Sequence, residues 1–125
     1  MHLRHLAILL IIVAASACSG LVPSATPTLT SLESQGRRVF ESYCSRCHET
    51  TGETVIVGPS LAGIATRGSE RIQGMDADAY IRNSIEDPGA YKVEGFPEGL
   101  MPTDLKDQLT QEDLDAIVAY LLTLK

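Results

Sequence analysis

The stretch Cys44-Ser45-Arg46-Cys47-His48 places two thiols and an imidazole within five consecutive positions. This C-x-x-C-H pattern is typical of c-type haem attachment. Two thiols at this spacing on a helical turn can add to the two vinyl groups of one porphyrin, and the adjacent histidine can bind the iron. The stretch therefore predicts a single covalent haem c held by Cys44, Cys47 and His48.

Three other kinds of site contain neighbouring cysteines, and the sequence disfavours each of them. A structural zinc ion usually takes four Cys or His ligands, whereas the chain after residue 18 offers only the three in this motif. A thioredoxin-like dithiol belongs to a βαβ setting, and no stretch here alternates as a strand would. A simple disulfide would account for the two thiols but not for His48.

A helix is predicted directly before the motif. Thr30 and Glu33 have the spacing of a capping box. Apolar positions then recur along one helical face, and they are Leu32, Gly36, Val39, Phe40 and Tyr43. Because glycine in a helix interior costs about 1 kcal/mol relative to alanine, we expect Gly36 to lie at a close contact between two helices.

Further helices are predicted toward the C-terminus. A short helix is expected over residues 61–67, and another follows the N-cap Asp76 and ends before Pro88. Thr110 caps a last helix with an apolar stripe at helical spacing. Residues 89–108 are rich in glycine and proline and are predicted to be irregular. The fold class predicted from these patterns is all-α.

The first seventeen residues have the features of a signal peptide. A charged start at Arg4 precedes an apolar run over residues 6–15, which is shorter than the roughly 20 residues of a membrane span. Residues 15–18 resemble a bacterial lipobox, whose cysteine, here Cys18, becomes the lipidated first residue of the mature protein. Soluble export after ordinary cleavage and an uncleaved anchor are the alternatives.

The chain is thus predicted to have three parts. Residues 1–17 form the signal peptide, residues 18–30 the lipidated cysteine and a flexible linker, and residues 31–125 the folded domain. The linker contains Pro23 and Pro27 and carries no charge, as expected of a connecting segment.

Composition narrows the classes of function further. Hydrophobic residues make up 44% of the chain, which is typical of a globular protein. The formal net charge of −6 disfavours nucleic acid as a partner.

The folded part resembles the class I cytochromes c from about residue 30 to residue 125. Besides the C-x-x-C-H motif, the resemblance rests on four stretches in family order, which are GPSL at 58–61, PGAY at 88–91, GLMP at 99–102 and IVAYL at 117–121. It implies a small fold of three to five helices around one covalent haem, with the N- and C-terminal helices crossing.

The resemblance also implies two axial iron ligands. His48 matches the proximal ligand and Met101 the distal one. The other methionine of the folded part, Met75, directly precedes the helix cap Asp76 and is interpreted as a packing residue. The alternative for Met101 is a loop methionine that fills a gap in the core.

Three further positions match residues around the haem in that family. The carbonyl of Pro59 matches the acceptor of the proximal histidine Nδ1–H, a bond that tunes ligand basicity. Arg67 matches an arginine near a haem propionate, and Tyr91 is a candidate for the same group. The alternatives are a simple turn at Pro59, a solvated Arg67 and a packing role for Tyr91.

These ligands imply an electron carrier and not an enzyme. Imidazole and thioether together saturate the iron, and methionine favours the reduced state. Two groups are especially similar, namely the cytochrome domain of haem–copper oxidase second subunits and the monohaem lipoprotein subunit of alternative complex III. The resemblance implies respiratory or photosynthetic electron transport, as a subunit or a tethered shuttle.

The same resemblance implies where the protein works and what it meets. We expect an exported protein, lipid-anchored at the periplasmic or extracytoplasmic face of a bacterial membrane. Its expected redox partners are a quinol-oxidising complex, a terminal oxidase or a reaction centre. Two alternatives stay open, a subunit through which electrons enter another redox enzyme and a haem-based gas sensor.

Overall fold

The computed structural model describes residues 28–125 and contains five helices in that part of the chain. They are α1 (Ser31–Tyr43), α2 (Ile64–Arg71), α3 (Ala77–Glu86), α4 (Leu105–Gln108) and α5 (Gln111–Leu121). No strand occurs within these described residues, so the prediction of an all-α fold is confirmed. The predicted signal peptide, Cys18 and most of the linker lie outside them.

The first and last helices both begin at a capping box. The Thr30 hydroxyl accepts the backbone N–H of Glu33, and the Glu33 carboxylate accepts the backbone N–H of Thr30 at 2.6 Å. Thr110 and Asp113 exchange the same pair of bonds. The hydroxyl and backbone N–H of Thr110 hold the pKa of Asp113 below its usual range. Both predicted caps are confirmed.

Helices α1 and α5 cross at Gly36. A methyl group built on Gly36 would lie 1.9 Å from the carbonyl oxygen of Ala116, so only glycine allows the two backbones to approach this closely. The Phe40 and Tyr120 rings pack beside the crossing with centroids 5.7 Å apart. The predicted crossing of the terminal helices, with Gly36 at the close contact, is therefore confirmed.

Helix α2 begins later than predicted. The sequence pattern placed a short helix over residues 61–67, whereas the observed helix is Ile64–Arg71. Gly63 has a φ of 71°, which is a left-handed conformation. A right-handed helix cannot continue through this residue, so the helix can begin only after it. Leu61 and Ala62 consequently belong to the preceding turn.

Helix α3 is joined to the neighbouring helices by close packing and by charge. Gly68 of α2 lies so near Ala77 and Tyr80 that a methyl group there would be 3.2 Å from the Tyr80 ring. On the other side, Arg82 bonds Asp115 of α5 at 2.7 Å. Residues of α2, α3 and α5 line one cavity together with the C-x-x-C-H motif. Within residues 28–125 every helix is too short or too polar to cross a membrane.

Candidate functional site

A single cavity of about 530 Å³ contains every site residue predicted within the folded domain. These residues are Cys44, Cys47, His48, Pro59, Arg67, Tyr91 and Met101. Buried aliphatic side chains also line the cavity, among them Ile81, Ile117 and Leu121. The volume lies within the roughly 300–1,000 Å³ that small-molecule sites occupy.

The two cysteines are presented by the turn that ends α1. The backbone N–H groups of Cys47 and His48 both donate to the Cys44 carbonyl at 3.0 Å, so the thiols and the imidazole share one turn. Burial, with a smaller contribution from Cys47, raises the pKa of the Cys44 thiol to about 12. Zinc binds the deprotonated thiolate, which this raised pKa disfavours. In the described part of the chain, moreover, no group of three or more His, Cys, Asp or Glu side chains could hold a metal ion.

The imidazole of His48 has a defined tautomer. Its Nδ1 lies 2.8 Å from the carbonyl oxygen of Pro59, and because that oxygen can only accept, Nδ1 carries the proton. The lone pair of Nε2 is then available to a metal ion. The predicted Pro59 acceptor is thus at hydrogen-bonding distance from the predicted proximal ligand.

Gly58 allows the backbone to press against that imidazole. A methyl group built on Gly58 would lie 2.4 Å from Cε1 of His48 and 2.9 Å from each ring nitrogen. The Gly58 N–H also donates to the Cys47 carbonyl at 2.9 Å. Sequence reasoning used Gly58 only as part of the GPSL stretch and did not predict this contact.

Arg67 binds two backbone carbonyls of the turn that follows Pro59. Its Nη2 donates to the Ser60 carbonyl at 2.9 Å, and its Nη1 donates to the Ala62 carbonyl. A guanidinium has five N–H donors, so three are left for an acidic group in the cavity. The proposed contact with a propionate therefore stays a prediction.

An aromatic pair forms another part of the lining. The rings of Tyr80 and Tyr91 meet edge to face with centroids 5.6 Å apart, and both residues line the cavity. Burial raises the pKa of the Tyr80 phenol. Sequence analysis did not place Tyr80 at the site, nor Arg71, which also lines the cavity and lies beyond the end of the helix predicted over residues 61–67.

The structure distinguishes the two candidate methionines by whether they line the cavity. Met101 lines the cavity and packs partly buried against the core. Met75 also packs against the core but is not among the residues around the cavity. Only Met101 therefore lies in the same cavity as His48.

The donor set and the walls fit a c-type haem. Two thiols lie on one turn, an imidazole has its Nε2 lone pair available, and a thioether lines the same cavity. The aliphatic wall suits a flat apolar ring, and Arg67 and Arg71 can face its acidic groups.

Comparison with known proteins points in the same direction. Residues 33–125 match the family described as Cytochrome c. The chain is 28% identical over 95 residues to Photosystem II extrinsic protein V of Trichodesmium erythraeum, 35% over 102 residues to Cytochrome c oxidase subunit 2 of Alkalihalophilus pseudofirmus, and 29% over 90 residues to Cytochrome c2 iso-2 of Magnetospirillum molischianum.

The lengths of these relatives differ from that of the chain. The matches cover 70%, 79% and 67% of this chain, in the same order. They cover 58% of the photosystem protein and 27% of the oxidase subunit, but 93% of the cytochrome c2.

Proposed function

Since this chain belongs to the cytochrome c family, we propose that it transfers single electrons through one covalent haem c and catalyses no reaction of its own. The observation that carries this proposal is the cavity that brings together Cys44, Cys47, His48 and Met101. Cys44 and Cys47 are the only cysteines, and His48 the only histidine, among the residues that the structure describes.

Each residue of the cavity has a part in this function. When bound, the haem supplies an iron that changes reversibly by one electron. Cys44 and Cys47 would hold the haem through their thiols, and the His48 imidazole and the Met101 sulfur would both ligate its iron, which would leave no position for a substrate. The Pro59 carbonyl keeps the imidazole in one tautomer. The buried aliphatic side chains of the lining would give the bound haem an apolar surrounding, which is one of the factors that set its reduction potential.

We further propose that the protein is exported and tethered to the bacterial membrane by a lipid on Cys18. A tether raises the effective concentration of the carrier near membrane complexes. The similarity to an oxidase subunit 2 supports a terminal oxidase as partner, and the similarity to a photosystem protein supports a photosynthetic one.

The partners can be identified by purifying the detergent-solubilised protein and determining which proteins accompany it. The result distinguishes a fixed subunit of a quinol-oxidising complex, a shuttle, and a subunit of another redox enzyme.

Covalent attachment and anchoring can be tested with two matched variants. In a bacterial host competent for cytochrome maturation, denaturing mass spectrometry is expected to show one added haem. Replacing both Cys44 and Cys47 by serine is expected to abolish the added mass. The control Cys18→Ser is expected to keep the haem but to be found in the soluble fraction instead of the membrane fraction. Absence of added haem in the unaltered protein would refute the proposed function.

The distal ligand can be tested with carbon monoxide. The reduced unaltered protein and its Met75→Ala variant are expected to show little spectral change, because His48 and Met101 would both ligate the iron. Met101→Ala is expected to bind carbon monoxide rapidly and to have a lower reduction potential, since methionine favours reduced iron. Rapid and complete binding by the unaltered protein would instead support the gas sensor.

A further inference from the structure

We infer that Arg67 is a positioning residue for His48, because it fixes the turn whose Pro59 carbonyl holds the imidazole. The inference rests on the proposed function, in which His48 binds iron. It assigns Arg67 a role in setting the basicity of the proximal ligand, which is separate from any contact with an acidic group of the haem.

The contacts of Arg67 match the shape of its side chain. The two terminal nitrogens of one planar guanidinium bind two carbonyls of the same turn, those of Ser60 and Ala62. The side chain passes over Gly63, where a methyl group would lie 3.0 Å from Nη1. Lysine carries the same charge as a single compact ammonium and does not reproduce this two-pronged geometry.

The turn is held from the opposite side by the segment around His48. The N–H of Gly58 donates to the Cys47 carbonyl at 2.9 Å, and the N–H of Leu61 donates to the Glu49 carbonyl at 2.7 Å. These bonds fix the N–H groups of the turn, whereas Arg67 fixes carbonyls. The Pro59 carbonyl lies one peptide before the Ser60 carbonyl, so restraining the latter restrains rotation of the former.

A fixed Pro59 carbonyl has a measurable effect on the histidine. A strong bond from Nδ1–H makes the imidazole a more basic ligand, which favours oxidised iron and lowers the reduction potential. Weakening that bond therefore raises the potential. Removing a positive charge near the iron has the opposite effect, because it favours the oxidised, more positive state. The sign of the shift consequently separates positioning from simple charge.

The test uses two variants of the haem-loaded protein. Arg67→Lys keeps the charge and is expected to raise the reduction potential. It is also expected to speed hydrogen exchange of the His48 Nδ1 proton, measured by NMR, about tenfold, as loss of one hydrogen bond does. The control Arg71→Gln removes a charge from the same helix and cavity. It is expected to lower the potential and leave the exchange unchanged.

The outcomes separate this inference from the proposed function. If Arg67→Lys has the potential and the Nδ1 exchange of the unaltered protein, Arg67 acts only through its charge and the inference is wrong. Should Arg67→Lys fail to fold, Arg67→Gln decides through the Nδ1 exchange, because a neutral amide cannot bind the Ser60 and Ala62 carbonyls as the guanidinium does. Faster Nδ1 exchange in Arg67→Gln supports the inference, and exchange equal to that of the unaltered protein overturns it. If the unaltered protein carries no haem, the proposed function itself fails.

Discussion

Replacing Gly36 by alanine is expected to remove at least about 2 kcal/mol from the free energy of unfolding. The added methyl group would lie 1.9 Å from the Ala116 carbonyl oxygen and 2.5 Å from its carbonyl carbon. Both atoms belong to the backbone of α5, so a side-chain rotation cannot relieve the clash and the helices must separate. Alanine's better helix propensity recovers only about 1 kcal/mol.

The free energy of unfolding, measured by denaturant titration of haem-loaded protein, checks this result. Gly89→Ala is the matched control, because a methyl group there would approach its nearest neighbour, the Asp87 carboxylate, only to 3.6 Å. Equal stability of the two variants would show that α1 and α5 do not cross as described.

Replacing Gly58 by alanine is expected to break the attachment of His48 to iron while leaving most of the fold in place. The added methyl group would overlap the imidazole at 2.4 Å from Cε1, so either the ring or the turn must move. An overpacking cost of about 1–3 kcal/mol weakens histidine ligation by about fivefold to more than a hundredfold. The optical spectrum of the variant should then show loss of six-coordinate iron. The yield of haem-loaded protein should also be lower.

Gly89→Ala is again the control, since Gly89 lines the same cavity without crowding. It should keep both the spectrum and the yield. A Gly58→Ala protein with the unaltered spectrum would mean that His48 does not lie against this turn in the haem-loaded protein.

The parts of the fold that depend on neighbouring residues could be predicted from the sequence. The capping boxes at Thr30 and Thr110 involve residues three positions apart, so both terminal helices were predicted with their correct starts. The start of α2 was predicted too early because the left-handed φ of Gly63 is not visible in the hydrophobic pattern. Helix α4 was missed because it has four residues in a stretch rich in glycine and proline, with Leu105 buried by distant parts of the chain.

The residues of the site likewise divide into those that a local pattern predicts and those that depend on tertiary packing. The C-x-x-C-H motif is local and predicts three of its own residues. Met101 was assigned through the family resemblance, since spacing alone does not indicate which methionine lies in the cavity. The contact of Gly58 with His48 and the bonds of Arg67 to Ser60 and Ala62 depend on how two loops pack together. No short sequence pattern encodes that packing.

The crossing of α1 and α5 bears on the order of maturation. The thiols directly follow α1, whereas its packing partner is the last helix of the chain. In the proposed export, which begins at the N-terminus, both cysteines emerge from the translocation channel well before α5. An attachment machinery that works on the emerging polypeptide thus meets the two thiols before α1 has packed against α5. Covalent modification can therefore precede folding of the domain.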